Sequence, residues 1–540
     1  MGNMGGLSRR GLLAGTAAGL MTLQDARAQG VAPRRGGTLN TVLTPEPPIL
    51  ILGVNSQGPT LIAASKIYQG LLRFSPTLEP LPELAKSWSL SDDKRTYTFK
   101  LQENVTFHDG KPMTAEDVVF SVMRFHMELS PRARGVFAKI KEATAPDPLT
   151  VTMTLDTPFD PFLLMFDVTT CAIMPKHVFD VPGSGTPAGA AEFRANPQNQ
   201  TPIGTGPFRF VEWQRGNFIR LRRHDGYWKP GQPYLDEIIY RIIPDSQSRG
   251  VALQSGQVQL TAANDLEPFD VPRFQQQPNL DMTTKGWELF SPLMWVETNH
   301  RSAPLGDVRV RQAISHALDR DFILRRLWSG VGKVATGPVA STTRFHDPAN
   351  KLERFDPRAA AQLLDAAGHK PNAQGVRFTI KHLTLPYGEV WTRLAEYMRS
   401  SLKNVGIELV LESTDAGAWA RRVADWEYDT TVNFLYQFGD PTLGVERTYV
   451  SSNIKKVLFT NTGGYSNERV DTLFNTARES PEPAARQAAF FEAQKLLVAE
   501  IPQIWLIEMA FPTFTDKRLR NAVQLGTGVH ASFDDVFLAS

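Results

Sequence analysis

The chain has 540 residues and a formal net charge of +2, with 42% hydrophobic and 21% charged side chains. That composition is ordinary for a globular protein, and the length allows two to four domains with well-buried cores. A single cysteine, Cys171, excludes a disulfide framework and any cysteine-cluster metal site, and no apolar run approaches the ~20 residues of a membrane-spanning helix.

The first 28 residues read as an export leader. Arg9 and Arg10 precede a mild, Gly- and Ala-rich apolar run, and Ala26-Arg27-Ala28 offers a small-x-small cleavage site before Gln29. The order Ser8-Arg9-Arg10-x-Leu12-Leu13 is that of a twin-arginine signal, and an ordinary secretory signal is the alternative. Cleavage would remove three arginines and one aspartate, leaving 55 basic and 55 acidic side chains of the original 58 and 56. No long basic block remains, which argues against a nucleic-acid partner.

After the leader, "GGTLNTVLTPEPPILILG" reads as a strand broken by prolines. Tyr97, Phe99 and Leu101 alternate with Thr98 and Lys100, the pattern of a half-buried strand. Thr114 then starts a helix, with Asp117 as its capping-box partner. "TVTMTLDTPFDPFL" is a further strand entering a proline loop. Residues 181–202 are rich in Gly, Pro, Asn and Gln and predict a long surface loop. "IGTGPFRFVEWQRGNFIRLRRH" predicts a two-stranded hairpin. From Asp307, "DVRVRQAISHALDRDFILRRLW" predicts one amphipathic helix, with Val310, Ile314, Ala317, Leu318 and Leu324 on one face. "FDPRAAAQLLDAAG" is a compact helix with Asp356 as N-cap, Pro357 first and Gly368 after the end. "VWTRLAEYMRSSLKNVG" and "IELVLES" give helix, glycine stop, strand. "SPEPAARQAAFFEAQKLLVAE" repeats the cap logic at Ser480 and Pro481. The second half is therefore α/β, and the first half is more mixed.

Motifs of catalysis are absent or out of context. "GTGVHA" (526–531) matches a dinucleotide pattern, but residues 532–540 leave no room for the helix and strand that such a site needs. Ser91-x-x-Lys94 and Ser452-x-x-Lys455 lack the K-T-G that would give them meaning. No nucleophile elbow or phosphate loop occurs, and no two histidines lie within four residues. The sequence points to a protein that is not an enzyme and carries no cofactor or metal.

One stretch, "NFLYQFGDPTLG" (433–444), sets three aromatics around an amide and an acid. A buried strand and a pocket wall both fit it, and Gln437 and Asp440 need partners in either case.

Several segments fall in order on one family pattern: "ELAKSWSLSDDKRTYTFKLQENVTFHDGKPMTAEDVVFSVMR" (83–124), "PIGTGPFRF" (202–210), "TNHRSAPLGDVRVRQAISHALDRD" (298–321), "FDPRAAAQLLDAAG" (355–368) and "GYSNERVDTLFNTA" (464–477). From about Gly36 onward the chain resembles the peptide/nickel class (family 5) of extracellular solute-binding proteins, the periplasmic receptors of ABC importers. The resemblance implies an α/β, two-lobe clamshell with an extra subdomain on the first lobe. Its implied boundaries are lobe I at 29–60, 201–285 and 510–540, the extra subdomain at 61–200, and lobe II at 286–509. It implies a monomer that hands a solute to importer membrane subunits; peptides, opine-like conjugates, oligosaccharides and metal chelates occur among relatives as ligands. An exported hydrolase and a clamshell chaperone or sensor are the competing classes.

In peptide-binding members a segment W-x-x-D-x-x-[DE]-P lines the cleft, and its first Asp holds the peptide ammonium. Asp440-Pro441 matches the end of that pattern, which puts Phe434 at the tryptophan and Gln437 at the anchoring acid. Phe434, Tyr436, Gln437, Phe438 and Asp440 are thus expected in the wall. An uncharged Gln437 suits a neutral or anionic group better than an ammonium. Trp419, with Trp426, and Asn55 are further candidates.

Overall fold

The computed structural model describes residues 32–180 and 189–539. The expected leader lies outside the described residues.

Two large mixed sheets organise the described chain. The first runs in the order 280–283, 513–516, 260–261, 38–42, 237–241, 218–223 and 208–214. Strand 38–42 is parallel to 237–241 and to 260–261; the remaining pairs are antiparallel. The hairpin expected at 202–224 is present, with Phe208–Gln214 pairing antiparallel to Phe218–Arg223.

The second sheet runs 332–334, 503–509, 293–298, 430–435, 378–383 and 407–412. Strands 293–298 and 503–509 are buried along their whole length. Side-chain alternation explains this. Met294, Val296, Val432 and Ile504 pack on one face with Trp391, Leu394 and Met398 of the helix Glu389–Lys403. Leu293, Trp295, Leu435 and Trp505 pack on the other with the helices Glu468–Glu479 and Pro483–Glu500. A sheet covered on both faces draws on apolar residues at most positions, and its buried polar side chains are hydrogen-bonded, Glu297 to Thr462, Gln503 to Tyr449 and Glu508 to Ser341.

A third, antiparallel sheet of order 85–90, 96–101, 150–155 and 140–147 carries its own core around Phe99, Phe137, Met153 and Phe166. Cys171 is buried in it as a small apolar residue, and burial pushes its thiol pKa up. Leu289 and Leu443, which flank strands of the second sheet, join this core.

The chain crosses between the two large sheets twice, at 284–292 and at 510–512. At these crossings Trp287 packs on Phe511, ring centroids 4.6 Å apart.

Local signals are mostly obeyed. Asp117 accepts from the Thr114 N–H at 2.8 Å, and Asp356 accepts from Arg358 and Ala359 N–H at 2.9 and 3.0 Å. Three expectations shift. The helix from Asp307 stops at Ala317, because Asp319 caps a new turn by accepting from Phe322 N–H at 3.0 Å. The last long helix begins at Pro483, not Pro481; Ser480 instead ends the preceding helix, and the second proline takes the first helical position. Residues 190–195 and 197–200 of the expected loop are helical.

Candidate functional site

Strand Thr430–Leu435 and its continuation to Asp440 enter the space between the two large sheets from the second sheet's side. Period-two alternation splits their side chains. Asn433, Leu435 and Gln437 are buried, while Phe434, Tyr436 and Phe438 keep some exposure. The exposed set joins aromatics from both crossings. Phe434 lies 6.3 Å from Phe511 and stacks on Trp391 at 5.4 Å; Tyr436 lies 5.2 Å from Phe290 and 6.4 Å from Trp287; Phe438 lies 6.4 Å from Phe290. His530 closes the end of this face, 4.7 Å from Phe290 and 5.2 Å from Trp287. Burial, then Lys66, pushes its pKa down to about 3, so it is neutral. Beside it, Lys66 donates to the Val529 carbonyl at 2.6 Å and sits 4.0 Å above the Phe533 ring. A void of about 40 Å³ next to Phe511 and Trp391, lined also by Glu267 and Tyr387, has room for water but not for a solute.

The strand ends by a left-handed kink, with Phe438 at φ 52° and Gly439 at φ 72°. The positive φ favours glycine at position 439, and a Cβ there would also press on Leu78 Cδ1 at 2.8 Å, where this turn meets the unit built on the third sheet. The kink lays Phe438 under the guanidinium of Arg132, 3.6 Å from the ring centroid.

The polar residues expected in the wall are committed elsewhere. Gln437 projects to the opposite face. Its carbonyl oxygen accepts from Ala340 N–H and Thr343 Oγ1 at 2.8 Å each, and its amide donates to the Pro338 carbonyl at 2.9 Å. It ties the 338–343 loop to the strand and does not offer a group to the cleft. Asp440 is fully buried, accepts from Thr442 N–H at 3.0 Å, and pairs with Arg486 at 3.1 Å. Trp419 is likewise fully buried, its indole N–H donating to Thr431 Oγ1 at 3.0 Å. Trp426 is stacked beneath Arg301 at 3.7 Å. Asn55 caps its own turn by accepting from Gln57 N–H at 2.9 Å. Of the expected residues, the structure brings together Phe434, Tyr436 and Phe438. Trp287, Phe290, Phe511, His530 and Arg132 were not anticipated; they come from distant segments with no shared spacing. Among the described residues no group of three or more His, Cys, Asp or Glu is arranged to hold a metal ion, and no helix is long and apolar enough to cross a membrane.

Residues 79–456 match the family described as bacterial extracellular solute-binding proteins, family 5. The chain is 29% identical over 484 residues to the glutathione-binding protein GsiB of Pectobacterium atrosepticum, covering 88% of each. The oligopeptide-binding protein AppA of Bacillus subtilis, solved with a nonapeptide, superposes with a TM-score of 0.80 at 24% identity over 94% of this chain and 100% of that one. NikZ of Campylobacter jejuni, solved with Ni(L-His), gives a TM-score of 0.78 at 22% identity over 92% and 97%. These structures share the two-lobe α/β fold.

Proposed function

The chain belongs to the bacterial extracellular solute-binding proteins of family 5, and on that premise we propose that it captures a small, peptide-like solute between its two lobes for an ABC importer. The observation that carries this is the aromatic face of Phe434, Tyr436 and Phe438. It is built on one sheet and completed by Trp287, Phe290 and Phe511 at the two crossings, where a hinge would act. A ligand there touches both lobes, so it favours the closed arrangement by its differential affinity. The lobe boundaries proposed are those read from the sequence; strand membership of the two large sheets supports them. We take the protein to be periplasmic, exported by residues 1–28, and monomeric. Glutathione is the first solute to test, because it is named for relatives at 27 to 29% identity.

The test is mass spectrometry of small molecules released from the purified protein, followed by calorimetry with glutathione and a di- to tetrapeptide panel. Saturation should also shrink the radius of gyration in small-angle scattering. A hydrolytic turnover of bound peptide, or an unchanged scattering profile at saturation, would count against a clamshell receptor.

A further inference from the structure

Buried arginines in this protein are as a rule saturated. Arg486 pairs with Asp440 and Asp160. Arg311 donates to four backbone carbonyls at 2.8 to 3.0 Å. Arg320 donates to three backbone carbonyls, of Trp505, Ser315 and Glu353, and to Ser315 Oγ. Two arginines at the end of the aromatic face are different. Arg132, on the helix Pro131–Phe137 of the third-sheet unit, makes one hydrogen bond, from Nη2 to Thr170 Oγ1 at 2.9 Å, and its buried Nε has no partner. Arg447, on the turn Glu446–Thr448, makes two long contacts, from Nε to the Gly444 carbonyl at 3.3 Å and from Nη2 to the Tyr436 carbonyl at 3.5 Å. Among the described residues neither forms an ion pair.

The two groups face each other electrically. Desolvation, then the charge of Arg447, pushes the Arg132 pKa down to about 9, and desolvation pushes Arg447 down to about 10. Asp167 is the acid that offsets Arg132, but its carboxylate is already held by Thr169 through N–H and hydroxyl at 2.8 and 2.7 Å. The acid that offsets Arg132 is therefore already committed. Each residue is hemmed in by protein yet retains accessible surface, as a side chain lining a crevice does. Such a pair is costly unless something anionic completes it. The shape of the opening narrows the chemistry. Phe438 covers one face of the Arg132 guanidinium and the Nε is buried, so a carboxylate would reach this group in its plane at the terminal nitrogens, as a charge-assisted hydrogen bond.

We propose that Arg132 and Arg447 form a subsite for a carboxylate of the captured solute, a step that rests on the receptor reading above. The solute then lies along the Tyr436–Phe438 face with its acid end at the third-sheet unit. That end bridges Arg132 on one side of the cleft and Arg447 on the other, so the charge it supplies also favours closure.

Two arms separate this inference from the reading it rests on. In the first, the thermal midpoint of the whole protein is followed against succinate and against succinamide at constant ionic strength. Succinate should raise it and succinamide should not, and Arg447→Gln and Arg132→Gln should abolish the difference. Equal responses to acid and amide in the unaltered protein, or a difference that survives in both variants, would overturn the subsite; the unaltered protein suffices if a variant fails to fold. In the second arm, glutathione and the peptide panel are titrated beside their carboxamide forms. Amidation should weaken binding about 10- to 100-fold, the range of a charge-assisted hydrogen-bonded contact. Peptides that bind equally as acids and amides would overturn the subsite while leaving the receptor standing. A succinate effect with no peptide binding would leave the subsite standing and overturn the peptide-like receptor.

Discussion

Asp160 is the place to test how the two halves are held together. It lies just beyond the third sheet, yet its carboxylate bonds to Arg486 and, at 2.9 Å, to Arg344, both from the part of the chain that builds the second sheet. Arg486 also pairs with Asp440, and Arg344 lies 3.8 Å from Asp440. Two acids and two arginines thus alternate across the gap. The inner pair is dry, with Arg486 1% and Asp440 0% exposed, whereas Asp160 is 38% exposed. Breaking a fully buried pair costs about 3–5 kcal/mol, and an exposed one about 0–1 kcal/mol. Asp160→Asn lies between these limits, because Arg486 keeps Asp440 and water reaches the lost charge. The expected cost is about 1–2 kcal/mol, felt only when the halves are together. Solute affinity should then fall roughly 5- to 30-fold, mainly through faster release. Calorimetry with the co-purifying solute or glutathione measures the affinity, and small-angle scattering measures the closed fraction. An affinity within twofold of the parent, with an unchanged scattering profile, would show that this contact does not hold the closed state.

Gln437→Ala should destabilise by about 1–3 kcal/mol in urea unfolding, since it strands the Pro338, Ala340 and Thr343 groups, while solute affinity changes much less. Trp419→Phe should cost about 1–2 kcal/mol through its lost bond to Thr431 and lost volume, with binding intact in the same calorimetric assay. His126 Nε2 donates to the Ala172 carbonyl at 2.8 Å, and burial pushes its pKa down to about 4. The unfolded chain therefore binds the proton first, so this group's contribution is present above about pH 6.5 and is lost as pH falls toward 4. The stability difference between the parent and His126→Gln should shrink by about 2 kcal/mol from pH 7 to pH 5 in urea titrations. Replacing Arg9 and Arg10 with lysine should stop export by the twin-arginine route; normal periplasmic accumulation of that double variant would leave a general secretory signal.

How far the sequence could be read is clearest in the stretch 433–441. Local physics fixed the strand, the proline-bounded end and the need of Gln437 and Asp440 for partners, because each is settled by neighbours in the chain. The alternation also held the answer to which residues share a face: Phe434, Tyr436 and Phe438 must lie together if Gln437 lies opposite. A motif match picks positions without regard to face, which is how Gln437 came to be expected in the wall. Its true partners, Pro338, Ala340 and Thr343, lie about a hundred residues away and carry no spacing signal. The same holds for Arg132 and Arg447. Each looks in sequence like any surface arginine. Only the fold brings both beside the 436–438 stretch, Arg132 on the Phe438 ring and Arg447 near the Tyr436 carbonyl, and only their hydrogen bonds separate them from Arg311 and Arg320, whose donors are spent. In this strand the inward face serves the fold and the outward face carries the aromatics on which the proposed solute would lie, so charge for such a solute would have to come from elsewhere in the chain.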